Sequence, residues 1–174
     1  MLFVVLFLLL VSGAHQEVFS RNLKKVCLAK PRLFEQPRFC KDGLLSFHKK
    51  QDTSQDIPKT PTKIIEITIE IAESEQARNQ GLMYRHTLES RAGMLFMFPD
   101  EALRLFYMKN TIIPLDIIFV NRKKEIVSMQ KNATPYSLKI LPSEKPAHYA
   151  VEVNAGFCEE HGIAVGDTIS FKRV

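Results

Sequence analysis

The sequence predicts a mainly β domain, a small β-sandwich or open barrel with one or two short helices. Three observations predict it. Short apolar segments recur between turn residues, one segment alternates apolar and polar residues without a break, and the helical segments are too short for a doubly wound sheet. The composition is that of a folded protein, since 45% of the 174 residues are hydrophobic and 25% are charged. Three cysteines are too few for a disulfide-dense scaffold.

The first element is predicted over Ile65–Ile71, where every second residue is apolar. This period is typical of a half-buried strand. Ser74 follows as a helix N-cap, Glu75–Gln80 as a short helix, and Gly81 as its C-terminal stop.

The remaining elements follow from apolar runs and from the turn residues between them. A short helix is predicted over 157–161, before Gly162, and a long loop region around Pro135, Pro142 and Pro146. Further strands are predicted over 94–98 (ended by Pro99 and Asp100), 103–108, 115–120, 125–130, 149–153 and 168–171.

The N-terminus is predicted to carry an export signal or a membrane anchor. Leu2–Val11 is an unbroken apolar run of ten residues, whereas a spanning helix needs about 20. Such a run followed by Ser12, Gly13 and Ala14 is typical of a signal peptide with cleavage after Ala14. No Lys or Arg precedes the run, so a retained membrane anchor stays as the alternative. Residues 1–14 therefore predict an extracytoplasmic protein, periplasmic or secreted.

Residues 15–63 are predicted to be a basic, proline-containing linker, and residues 64–174 the folded domain. The linker has 11 basic and 5 acidic residues, whereas the domain has 13 and 14. The net charge of +5 therefore describes the linker and does not indicate nucleic-acid binding by the domain. The positive charge instead favours a membrane or envelope surface as a partner. Cys27 and Cys40 can pair in an oxidising compartment.

Five motifs in the domain resemble a known family. They are Arg78–Arg85 (RNQGLMYR), Gly93–Phe98 (GMLFMF), Phe106–Asp116 (FYMKNTIIPLD), Glu152–Gly156 (EVNAG) and Gly162–Asp167 (GIAVGD). These motifs are similar to those of the domain of unknown function 192 family, also called uncharacterised protein family 0127. The resemblance implies a small β-rich domain, commonly behind a signal or anchor in prokaryotes, and it implies no established activity. Tyr107 replaces the family's usual Trp, and Cys158 stands where a small residue is common, which argues against Cys158 as a shared nucleophile.

Three ionisable residues lie on predicted strands of largely apolar composition. Asp116 shares a strand face with Ile118 and Val120, and Lys109 can reach it across the turn 110–114. Glu152 is the third. Because a buried charge needs a partner, such groups either form an internal ion-pair network that fixes strand register or line a ligand pocket.

The pocket hypothesis assigns a small polar ligand to Lys109, Asn110 and Asp116, with Tyr107 as a stacking face and Arg78 as a second cation. One alternative is an enzyme, a hydrolase or lyase, in which Asp116 and Glu152 divide the acid and base roles in one cleft. Another is a membrane-tethered structural or interaction module with an exposed apolar patch. No metal-ligand spacing and no cofactor motif is present in the sequence, so no cofactor is expected.

Overall fold

The computed structural model describes residues 37–50 and 62–174. Nine strands and two short helices occur along these ranges. The helices are α1 (Glu75–Gln80) and α2 (Phe157–Glu160). The strands are β1 (Gly43–His48), β2 (Lys63–Ala72), β3 (Ala92–Ala102), β4 (Leu105–Phe106), β5 (Leu115–Val120), β6 (Ile126–Ala133), β7 (Leu141–Pro142), β8 (Ala147–Asn154) and β9 (Thr168–Arg173).

Seven of these strands form one sheet in the order β6-β5-β8-β3-β2-β1-β9, and β4 pairs with β7 in a separate two-stranded ribbon. The sheet is open, and its edge strands approach each other at a bridge between Glu125 and Thr168. β2 and β3 are parallel, whereas the other neighbouring strands are antiparallel. A parallel pair needs a crossover connection. The connection 73–91 makes that crossover and carries α1.

The mainly β fold class is confirmed. The alternating segment is a strand, and Ser74 caps α1 by accepting a hydrogen bond from Ala77 N–H, with Gly81 at the C-cap. The 115–120 strand has the predicted bounds. The bounds of most other predicted strands differ from the observed ones by up to three residues at an end. Two predictions differ more: β3 continues through Pro99 to Ala102, and the strand expected over 103–108 is reduced to the two residues of β4.

The predicted linker is wrong over Gly43–His48, because these residues form an interior strand between β2 and β9. Leu45 and Phe47 are fully buried in the core. Two residues that directly follow β1 in the chain bind the Asp167 carboxylate. This carboxylate accepts hydrogen bonds from Lys50 N–H at 3.0 Å and from Lys49 Nζ at 3.1 Å. Burial opposes ionisation of this carboxyl, but these hydrogen bonds and one from Ala164 N–H lower its pKa. Residues 15–36 and 51–61 of the predicted linker, like residues 1–14, lie outside the described residues, and so does Cys27.

The sheet buries apolar side chains on both faces. One cluster includes Leu45, Phe47, Ile118, Val151 and Phe157, and α2 covers it. The other includes Leu82, Phe96, Met108, Ile117 and Phe119. Because both faces are covered, β5 is buried at all six of its positions. Within residues 37–50 and 62–174, no helix is long and apolar enough to cross a bilayer.

Candidate functional site

Two glutamates are brought together on one face of the sheet by strand register. Glu70 on β2 lies opposite Met94 on β3, and Met94 lies opposite Glu152 on β8. Residues that are directly opposite in a sheet point to the same side. The crossover connection passes over this side, so residues of the RNQGLMYR motif are placed against the two carboxyls.

Arg85, from that motif, is the buried cation between the glutamates. Its Nη2 lies 2.6 Å from Glu70 Oε2, and both side chains are almost fully buried. Glu70 Oε1 also accepts a hydrogen bond from Cys40 N–H at 2.7 Å. Burial raises the pKa of Glu70 even though the Arg85 charge and these hydrogen bonds oppose the shift. Removing one partner of such a pair would leave an uncompensated buried charge.

Glu152 lacks a comparable partner. Its side chain is buried, its residue is 6% exposed, and Oε2 has no hydrogen-bond partner. Burial raises the pKa of Glu152 to about 8, while the Arg85 charge acts in the opposite direction. The carboxyl is therefore neutral at pH 7, and a neutral carboxyl can both donate and accept a hydrogen bond.

Glu152 lies in the wall of a cavity of about 150 Å³. The cavity is bounded by the C-terminal half of α1 and the turn after it, by β3, and by β4 with the residues that follow. Its apolar lining consists of Leu82, Met83, Phe96, Phe98, Leu105, Phe106 and Tyr107, and its polar lining of Arg78, Asn79, Gln80, Gly81, Thr111 and Glu152. A Cβ added to Gly81 would lie 3.2 Å from the Phe96 ring and 3.7 Å from Glu152 Oε2, so glycine leaves this wall open.

Arg78 is fixed at the cavity by backbone acceptors. Its Nη1 donates to the carbonyls of Glu73 and Met97, the second at 3.1 Å. The guanidinium lies 5.5 Å from the centre of the Phe98 ring. An arginine has five N–H donors, so donors remain for a carboxylate or another acceptor in the cavity. Phe96 and Phe106 pack edge to face at 5.2 Å, which keeps the aromatic wall rigid.

Asp116 lies on the opposite face of the sheet from Glu152. The β5–β8 register pairs Ile117 with Glu152, and Asp116 is one residue along, so its side chain points the other way. The predicted cleft shared by Asp116 and Glu152 is therefore wrong, and with it the division of acid and base roles between them.

The carboxylate of Asp116 holds two backbone segments. Oδ1 accepts from Asn132 N–H at 2.9 Å, where β6 bulges, and Oδ2 accepts from Cys158 N–H at 3.0 Å, in the first turn of α2. The N-cap of α2 is Gly156, which has no side chain to cap the helix. Asp116 therefore supplies the missing acceptor from β5.

Replacing Asp116 with Ala is expected to destabilise the protein by ~2–4 kcal/mol, because the buried Cys158 N–H and the partly buried Asn132 N–H would lose their acceptor. Lys109→Met should change stability by less than about 0.5 kcal/mol, since Lys109 is exposed. Urea unfolding of both variants measures the difference. Equal losses would contradict this assignment.

The predicted Lys109–Asp116 pair is absent, since Asp116 is fully buried and Lys109 is exposed and outside the cavity lining. Asn110 also lies outside that lining. It adopts a positive φ of 56°, accepts from Tyr84 N–H at 2.9 Å and donates from Nδ2 to the Tyr84 hydroxyl at 2.8 Å. Of the five predicted ligand-binding residues, Arg78 and Tyr107 line the cavity.

No group of three or more His, Cys, Asp or Glu side chains suited to a metal ion occurs in the part of the chain that the structure describes. Cys158 is a free, buried cysteine, and burial together with the Asp116 carboxylate raises its thiol pKa to about 12. Such a thiol is a poor nucleophile.

A family model matches residues 57–171, over the strands and loops that build the cavity. The chain belongs to the domain of unknown function 192 family. This family is described as "Uncharacterized ACR". Strand β1 precedes the matched range. Tyr107, where the family's usual residue is Trp, forms part of the cavity wall in this member.

A relative from Pyrococcus furiosus, named as a protein of uncharacterised protein family 0127, is 29% identical over 66% of this chain and 96% of its own length. Two crystal structures are similar. A Sinorhizobium meliloti 1021 protein, provisionally described as a transcription regulator, has a TM-score of 0.66 and 31% identity over 75% of this chain and 93% of its own. A protein of unknown function from Novosphingobium aromaticivorans has a TM-score of 0.64 and 30% identity over 73% and 83%.

Sequence reasoning misses several residues of the site. It does not single out Glu70 and Arg85, although Arg85 ends a quoted motif, and it assigns Phe96, Phe98 and Phe106 only to strands. The recurrence of Arg and Phe in three separate motifs is the available signal, but only the crossover brings these motifs to one place.

Proposed function

We propose that this member of the domain of unknown function 192 family is an extracytoplasmic binding domain that holds a small amphipathic ligand in the aromatic cavity. The ligand class is a molecule of single-ring size with an apolar body and one acidic or hydroxyl group. This ligand class differs from the small polar ligand expected from the sequence, because seven of the thirteen residues that line the cavity are apolar.

The observation that carries the proposal is the Glu152 carboxyl. It is buried, has an oxygen without a hydrogen-bond partner and lines a cavity whose other lining residues include seven aromatic or aliphatic ones. Leaving such a group unsatisfied costs about 1–3 kcal/mol. A ligand hydroxyl, or a ligand carboxylate that accepts a hydrogen bond from the protonated carboxyl, would offset this cost.

The cavity volume supports the ligand size. A cavity of about 150 Å³ matches the volume at which an engineered apolar cavity in another protein accepts benzene. Arg78 supports an acidic group, since its guanidinium lies in the wall and has donors left over. Apolar and polar residues contribute to the lining in similar number, which suits a ligand that has both an apolar body and a polar group.

A thermal-shift titration with benzoate and with benzyl alcohol tests the proposal. We expect benzoate to raise the Tm of the native protein at pH 6–7, because ligand at 100 times Kd stabilises the folded state by ~2.7 kcal/mol. The benzoate shift should be lost in Arg78→Met and retained in the control Arg91→Met, since Arg91 is exposed and outside the cavity lining. It should also weaken above pH 8, where Glu152 ionises.

Comparing the Tm of each variant with and without probe separates binding from any loss of stability. An Arg78→Met protein that responds to benzoate as the native protein does would contradict an anion site at this cavity. Absence of any shift with either probe would contradict the ligand class.

The extracytoplasmic location rests on the N-terminal sequence and on cysteine chemistry. The apolar run 2–11 is followed by small residues, and Cys40 is disulfide-bonded. Disulfides persist in oxidising compartments. A reporter fused at Lys63 that is active only in the cytoplasm would contradict this location.

A role in DNA binding is not proposed from the description of the Sinorhizobium relative. The helices in the described ranges have six and four residues, and neither has the length of a typical recognition helix.

A further inference from the structure

We propose that the β4–β7 ribbon docks on an anionic lipid surface. The ribbon and the segments that continue it present a row of exposed apolar side chains, and lysines lie between them. Leu105 and Tyr107 belong both to this row and to the cavity lining, but the proposal does not depend on ligand binding in the cavity.

The row is defined by the exposure of its side chains, and strand alternation explains it only beside the paired residues. Phe106 and Leu141 are opposite each other and pack against the second of the two apolar clusters, so the residues next to them point outwards. The outward residues are unusually apolar for a surface. They are Leu103, Leu105, Tyr107, Tyr136, Leu138 and Ile140, and between 42% and 70% of each is exposed.

The backbone holds the two segments together beyond the paired residues. Met108 N–H donates to the Ser137 carbonyl at 2.9 Å, and Tyr136 N–H donates to the Thr111 carbonyl at 3.1 Å. The apolar side chains thus project from one connected ribbon and not from independent loops. A contiguous exposed apolar patch of this kind marks an interaction surface.

The positive charge of the ribbon favours an anionic partner. Segments 103–115 and 134–143 contain Arg104, Lys109 and Lys139 and no Asp or Glu. Arg104 is paired with Asp100, whereas the two lysines are exposed and make no ion pair within the described residues. A cationic surface with exposed Leu, Ile and Tyr fits the interface of a bilayer that carries anionic lipids.

Two other partners fit less well. Two copies of this ribbon would place like charges against each other, which disfavours a dimer through this face. Single-stranded nucleic acid is bound through stacking aromatic residues, and four of the six exposed side chains are aliphatic.

A single tryptophan can report on the ribbon directly, because the chain contains no Trp. Leu138→Trp is placed in the full-length protein, with Val165→Trp as the control. Val165 is also an exposed apolar residue, 53% accessible, but it lies in the turn before β9. Far-UV circular dichroism first verifies that both variants retain the native fold.

With vesicles of phosphatidylcholine and phosphatidylglycerol, we expect the indole emission of Leu138→Trp to move to shorter wavelength and to be quenched by brominated acyl chains. The emission of Val165→Trp should do neither, even if the N-terminal segment tethers the protein to the vesicle. Lys109→Gln and Lys139→Gln, each in the Leu138→Trp background, should weaken vesicle binding about fivefold, equivalent to ~1 kcal/mol per lysine. Lys123→Gln, in the β5–β6 hairpin, should not.

Unchanged emission of Leu138→Trp on anionic vesicles would overturn the proposal, as would equal shifts at positions 138 and 165. A shift that depends on protein concentration without lipid would identify a second copy as the occupant instead. A shift produced by a single-stranded oligonucleotide but not by vesicles would identify nucleic acid.

Discussion

The native protein is expected to lose stability as the pH rises from about 5 to 8.5, and replacing Glu152 with Gln is expected to make this loss much smaller. In the folded protein, burial raises the pKa of Glu152 to about 8, whereas the ordinary value is 4.5. Between these two values the folded state retains a proton that the unfolded chain releases. The carboxyl therefore favours folding at acidic pH.

The sign of the effect follows from this difference. The stability contributed by a group with a raised pKa is fully present below the unfolded pKa and is lost as the pH passes through the folded pKa. The free energy of unfolding should fall by up to ~1.4 kcal/mol per pH unit over this window. The amide introduced by Glu152→Gln cannot ionise and has nearly the same shape as the carboxyl. The free energy of unfolding of this variant should therefore depend less on pH, and above pH 8 it should exceed that of the native protein.

Urea unfolding at pH 5, 6, 7, 8 and 8.5 measures the effect. Glu89→Gln is the matched control, because Glu89 is exposed, and its curve should follow that of the native protein. The thiol pKa of Cys158 is raised from an ordinary value of 9 to about 12. The contribution of this thiol to the pH dependence of stability therefore begins above pH 8.5. A decline that persists unchanged in Glu152→Gln would show that another group causes it.

The glutamate that neighbours Glu152 in the site shows which parts of it could be predicted. Period-two alternation places Glu66, Thr68 and Glu70 together on the polar side of β2, and a polar side is expected to face solvent. Glu70 is nevertheless buried, because the crossover connection covers that end of the strand and brings Arg85 to it. Alternation determines which residues share a face, but it does not determine what covers the face.

The prediction for Asp116 fails for a related reason. The sequence places this residue correctly among apolar neighbours, and Lys109 is close enough along the chain to be its partner. The partners are instead N–H groups of Asn132 and Cys158. Every residue except proline has a backbone N–H group, so the sequence does not show which of these groups a buried carboxylate will bind. In the sequence, such a carboxylate looks the same as one that pairs with a cation.

Strand β1 is not predicted from the sequence, because it is short and no other predicted strand is near it in the chain. Leu45 and Phe47 alternate with Ser46, but lysines, prolines and polar residues surround this segment, and the family match begins only at residue 57. The strand is recognisable by its two partners, β2 and β9, which are distant in the sequence. The domain boundary predicted after residue 63 therefore marks a change in composition and not the start of the folded domain.

A protein shortened to residues 60–174 is consequently expected not to fold cooperatively, whereas residues 39–174 should fold. Removing β1 withdraws Leu45 and Phe47, both fully buried, and leaves β9 without its neighbour in the sheet. Truncating one such Leu or Phe to Ala typically costs ~2–5 kcal/mol, and a whole domain is stable by only about 5–15 kcal/mol. The loss of the strand is thus comparable to the entire stability.

Thermal unfolding followed by near-UV circular dichroism, with amide-proton NMR of each protein, tests this expectation. Phe47→Ala in the full-length chain isolates the packing contribution and should cost ~3–5 kcal/mol. Leu44→Ala is its matched control, since Leu44 is on the same strand but only half-buried, and it should cost much less. A sharp transition and dispersed amide signals for residues 60–174 would mean that the sheet closes without β1, and that the boundary predicted from composition is the true one.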